Sequence, residues 1–228
     1  MGCDIHEYYE VRQDDGSWRL FNYQGKYREG TYEDGTPKYD YDSLFSDPLH
    51  IGRRYRLFAF LANVRNGTGF AGCDTGDELT PIDEPRGVPE DASDYYLEEV
   101  DQWGYDGHSH SWFTATELVN ADWDQICVER RIIGFDDYPK FKETKHCGGM
   151  PTCSGVWGGD VLTITVDEAD ALLDNPDKRD PDKDYYVQVE YSSPLSEELA
   201  GYKDRWLPAV LALDPDPERI RFVFFFDN

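Results

Sequence analysis

Arg219-Ile-Arg-Phe-Val-Phe-Phe-Phe226 is the stretch on which the fold turns. A run so rich in aromatic and β-branched residues favours an extended strand. It is apolar on both faces, so it cannot sit at a wet sheet edge and is expected at the centre of a sheet, covered on both sides. Working back from it, Ser193 and Pro194 offer an N-cap and a first helical residue for a helix over 194–213. Residues 126–133, 161–166 and 185–191 read as strands, with a short helix over about 167–174. The acidic stretch 174–184 reads as a solvated loop.

The N-terminal half is less regular. Residues 4–12 and 17–23 suggest a hairpin turning at Asp14-Asp15-Gly16-Ser17. Residues 24–48 are polar and rich in Tyr and Gly, and read as a loop. Leu57, Phe58, Leu61 and Val64 mark the buried face of a helix within 53–65. Residues 66–90 read as irregular, and a second helix is expected over about 91–103, stopping before Gly104. A short strand at 108–112 then meets Thr114-Ala-Thr-Glu117, a capping box that opens a third helix. The elements predict an α+β fold: a single domain over 1–228 with a mixed or mainly antiparallel sheet and three to five helices.

The net charge is -25, and 15% of residues are aromatic, so strong acidity here does not mean disorder. Asp outnumbers Glu, Arg outnumbers Lys, and the acids run along the whole chain. Such a surface suits molar salt, where a Debye length of about 3 Å screens self-repulsion. A halophilic source, an archaeon or one of its viruses, is expected. The same charge excludes a general nucleic-acid coat protein, which needs a basic face. No apolar run approaches the roughly 18 residues of a membrane span and no signal peptide is read, so the host cytoplasm is expected, with no membrane partner. His6 stands where the lipidation pattern that begins Met-Gly needs Ser or Thr.

Cys3, Cys73, Cys127, Cys147 and Cys153 read as reduced thiols. His146, Cys147 and Cys153 could donate to zinc with a fourth ligand from elsewhere. Their spacing fits no familiar finger, and a Gly-rich loop is the preferred reading. Cys3 alternates with Asp4 and His6 and should face the core, which argues against a nucleophile.

Two motifs hold three of the five histidines: Asp4-Ile-His6 and Asp106-Gly-His-Ser-His-Ser-Trp112. On a strand, residues two apart share a face, so Asp4 with His6, and His108 with His110, would project together. If the two strands are neighbours, the four side chains form a nitrogen and oxygen set suited to zinc, manganese or iron. Asp106 would then orient or deprotonate water beside a catalytic His108. The competing reading makes His6 a core residue and the second motif a polar turn leading into the capping box. A basic island adds a second signal: from Pro48 to Cys73 there is no acid, while Arg53, Arg54, Arg56 and Arg65 stand in it. Arg53, Arg56 and Arg65, joined by Arg86, could clamp an anion, with Trp112 stacking on a base or sugar. Equally, these arginines could neutralise nearby carboxylates.

These pieces carry a resemblance. The opening Met-Gly-Cys-Asp-Ile-His, the helix and Val-Arg-Asn within 57–66, Pro-Arg-Gly-Val-Pro at 85–89, the histidine motif at 106–112 and Phe-Asp-Asn at 226–228 are similar to an uncharacterised family of proteins encoded by tailed viruses and prophages. That family's motif reads Asp-Gly-His-Ser-x-Ser-Trp, leaving position 110 variable. The resemblance spans the chain, with an insertion near 136–159 and the acidic loop at 174–184 peculiar to this member; it implies a viral or proviral accessory protein and no activity. Two readings stand. One is an accessory protein binding a small anionic ligand such as a nucleotide, with metal-assisted hydrolysis. The other is a non-enzymatic protein that binds a host or viral protein or belongs to a virion, with structural histidines.

Overall fold

The Asp-Asp-Gly turn folds the first hairpin, β1 (Asp4–Arg12) and β2 (Trp18–Leu20), in the computed structural model, which describes residues 2–227. Gly16 takes φ +88 there, a left-handed value that glycine adopts without strain. The stretch expected as a loop over 24–48 holds a second hairpin, β3 (Arg28–Thr31) and β4 (Pro37–Tyr39), and a short helix α1 (Tyr41–Phe45) capped by Asp40. Next come α2 (Tyr55–Ala62), α3 (Asp94–Trp103), β5 (His108–Thr114) and α4 (Ala115–Asn120). The capping box at Thr114 and Glu117 forms as the spacing predicts.

Beyond Asp124 lie β6 (Ile126–Gly134), α5 (Tyr138–Thr144), β7 (Thr152–Cys153), β8 (Val161–Ile164), α6 (Val166–Asp174), β9 (Asp184–Pro194) and α7 (Leu195–Glu198). The chain closes with α8 (Leu207–Leu211) and β10 (Ile220–Asp227). The helix expected over 194–213 forms from Leu195 to Leu211, but in pieces and with a different start. β9 runs through Ser193 and Pro194, and the Ser193 hydroxyl donates to Glu198 Oε1 at 2.6 Å instead of capping a helix. A widened turn at Tyr202–Trp206 interrupts the helix before α8.

The fold class is α+β, as the sequence predicts, and its packing falls into two units. Unit 1 takes the chain up to Val64, Thr80–Asp124 and everything from Leu199 onward. Its antiparallel sheet has the order β2-β1-β10-β5. β10 is central, and Ile220 through Phe226 are all buried. On one face Tyr8, Val223 and Phe225 pack against Tyr96, Val100 and Trp103 of α3. On the other, Phe226 meets Phe58 of α2 at 5.0 Å, and Phe222 meets Trp206 at 5.3 Å. Trp206 donates to the Tyr9 hydroxyl at 2.6 Å, which donates in turn to Leu49 O, so these buried polar groups are satisfied.

Unit 2 takes Arg65–Leu79 and Gln125–Glu198. Its sheet, ordered β7-β6-β9-β8, is mixed, with β8 and β9 parallel. Ile133, Val187 and Val189 bury one face against Tyr138, Phe141 and Ala169. No helix among the described residues is long and apolar enough to cross a membrane.

Candidate functional site

The histidine motifs do not assemble as the alternation of a regular strand predicts. β1 and β5 are separated by β10, so Asp4 and His6 stand one strand away from the strand that carries His108 and His110. A bulge then divides the second pair. Phe226 pairs with His108 and Phe224 with Ser111, which leaves Ser109 and His110 together opposite Phe225. Ser109 takes φ 50. The extra residue turns the two histidines onto opposite faces: His110 stacks on Phe225 with ring centroids 5.1 Å apart, and His108 stacks on Phe226 at 6.1 Å. His6 takes the other flank of Phe225 at 4.7 Å, with Trp103 at 4.2 Å. Burial, with His108 nearby, lowers the pKa of His110 from its ordinary value.

Asp4 is engaged elsewhere. The guanidinium of Arg53 grips both its oxygens and holds its pKa below the usual carboxylate range. The Nε2 of His6 lies 3.4 Å from Asp227 Oδ2, in ion-pair range but without hydrogen-bond geometry. Asp106 is exposed in the link from α3 to β5. Among the described residues no group of three or more His, Cys, Asp or Glu side chains is placed to hold a metal ion. Met1 and Asn228, which end the two terminal motifs, lie outside the described residues.

Of the arginines, Arg53 is taken up by Asp4, and Arg86 by the loop before β5. Arg86 donates to Asp83 at 2.9 Å, to Glu117 at 2.7 Å and to Trp112 O at 3.2 Å, while its guanidinium lies over the rings of Trp112 and Phe113. It straps the 83–87 loop to β5, and Trp112 is its packing partner. Arg56 is half-buried on α2, and Arg65 belongs to unit 2. In unit 2, His146 binds Glu198 Oε1 at 3.0 Å and Cys147 is buried, its thiol pushed up to about 11 by that burial.

A groove of about 620 Å³ in unit 1 escaped the sequence reading. One wall is β2, with Trp18, Arg19 and Leu20; the other runs from Asp91 through Asp94 to Tyr95, into the first turn of α3. Beneath it lies the buried pair of Arg221 and Glu10, 3% and 0% exposed and 2.7 Å apart. Arg221 also binds Asp91 at 2.6 Å, which holds the Asp91 pKa down, and it sits 4.1 Å from the Trp18 ring centroid. Glu10 accepts the Ser93 N–H at 2.7 Å, and the Trp18 indole donates to Asp91 at 3.0 Å. These bonds tie both walls to the sheet and fix the groove's width. The one signal for it was Arg221 itself, a cation inside an otherwise apolar strand, which demands a buried counter-ion. Searches against protein-family models, curated proteins and solved structures returned no match for this chain.

Proposed function

We propose that this protein acts by binding a partner in the groove of unit 1, and that its histidine motif is structural. The observation that carries this reading is the groove itself, about 620 Å³ with both walls anchored through Arg221 and Glu10. A pre-formed concave site with aromatic and polar lining is the usual shape of a recognition surface. The rings of His6 and His110 pack on Phe225 and serve the core. Within the viral setting implied by the sequence, the partner is a host or viral protein.

The test is a selection of random peptides displayed against the intact protein, in parallel with an Asp94→Lys/Tyr95→Ala variant of unchanged thermal midpoint. Enrichment on the parent that disappears on the variant supports the groove. Equal enrichment on both, or none on either, overturns it.

A further inference from the structure

We infer that the groove takes an extended basic peptide, which adds to the sheet as a strand beside β2; this inference rests on the binding role proposed for the groove. The first observation is the ladder between β1 and β2. Phe21 N–H donates to Tyr9 O at 2.7 Å, and Gln13 N–H donates to Ser17 O at 2.7 Å. With Arg19 opposite Val11 in the same register, residues 17, 19 and 21 turn their backbone groups toward β1. Trp18 and Leu20 therefore turn theirs outward, and none of those N–H or C=O groups meets a partner among the described residues. Unpaired edge groups of this kind are a template for strand addition.

The second observation is the opposite edge, which is closed. His110 O accepts the Gly87 N–H at 2.8 Å, and Trp112 O accepts from Arg86 at 3.2 Å. Within the one sheet, the edge without a strap is the one that borders the groove.

The third observation is charge. From Gly87 to Glu129 the chain contains no Lys or Arg, while Glu90, Asp91, Asp94, Glu98, Glu99 and Asp101 fall on or just before α3. The wall facing the open edge carries Asp91 and Asp94, with Arg19 the one basic residue of the lining; Asp91 already binds Arg221, so Asp94 is the carboxylate that meets an incoming cation. A segment seated between them gains backbone bonds from β2 and charge-assisted bonds from lysines or arginines directed at α3.

An eight-residue peptide of alternating lysine and valine is the probe, titrated calorimetrically into the protein at the lowest salt that keeps it folded. Binding is expected together with slowed hydrogen exchange at the Trp18 and Leu20 amides. N-methylation of alternate peptide amides, which removes ladder bonds and keeps the charge, is expected to weaken binding about tenfold or more, as is Asp94→Lys. Undiminished binding of the N-methylated peptide overturns strand addition. Failure of the lysine peptide to bind, while displayed peptides of another composition still enrich at the groove, overturns the basic partner and leaves the groove's binding role standing.

Discussion

The two edges of unit 1's sheet are finished by different means. At β5 the loop over 83–87 lies along the strand, with Arg86 and Gly87 bonding the outward carbonyls of Trp112 and His110. At β2 no loop among the described residues does so, and the strand is only three residues long. Both devices limit unwanted edge pairing, one by covering and the other by brevity. They leave different residues behind. A covered edge offers nothing to a partner, while a short open edge offers four backbone groups with a groove to select what reaches them. Under the proposed function, the difference puts recognition at β2 and stability at β5 and the buried base of the groove.

The strongest way to break the β2 side is to remove its foundation. Arg221→Ala leaves Glu10 buried without its cation, at a cost of about 3–5 kcal/mol. In urea unfolding the midpoint is expected to fall steeply, and peptide binding at the groove to vanish. Arg221→Met with Glu10→Gln should recover much of the stability, because neither partner is then left as a lone buried charge. An Arg221→Ala protein as stable as the parent would show that the pair is not the groove's anchor.

The β5 side breaks more gently. Burial works against the charge of Arg86, but its bonds to Glu117 and Asp83 outweigh that and raise its pKa. Arg86→Ala is expected to cost about 1–3 kcal/mol through the lost charge-assisted bonds. It should also uncover the β5 edge, so sedimentation velocity should detect self-association that the parent lacks. Destabilisation without self-association would mean that the strap holds the loop without protecting the edge. Thr114→Ala, which removes the capping box where β5 passes into α4, should cost about 1 kcal/mol and leave association unchanged.

The sequence was most legible where local rules decide. The apolar run ending at Phe226 did become the central strand, and Thr114 with Glu117 did cap a helix. The hairpin of β3 and β4 was readable in principle from Asp34-Gly35, a common turn pair, but its short, almost wholly exposed strands show no alternation. Strand order is not a local property, so nothing in the two histidine motifs could reveal that β10 would separate them. The bulge at Ser109 was equally hidden, since a one-residue insertion in a ladder shows only against the partner strand. The groove joins residues near 18, 91 and 221, and only the misplaced cation in β10 hinted at it.

The smallest effect expected is a pH slope confined to the closed edge. His110 sits in the β5 bulge with its pKa lowered, first by burial and then by His108. In the unfolded chain its imidazole takes a proton as pH falls through about 6.5, whereas the folded protein resists until lower pH. Its contribution to stability is therefore fully present above that value, declines as pH falls toward the folded pKa, and stays flat below it. His110→Gln removes this component and spares the other histidines. Urea midpoints taken at about pH 7.5 and about pH 5.5 should draw closer together in the variant than in the parent. A groove variant such as Asp94→Asn, on the open edge, should keep the parent's difference between the two pH values, since it leaves His110 in place. If His110→Gln left the parent's pH response untouched, the bulge would not be burying that ring, and the division of labour between the two edges would lose its titratable mark.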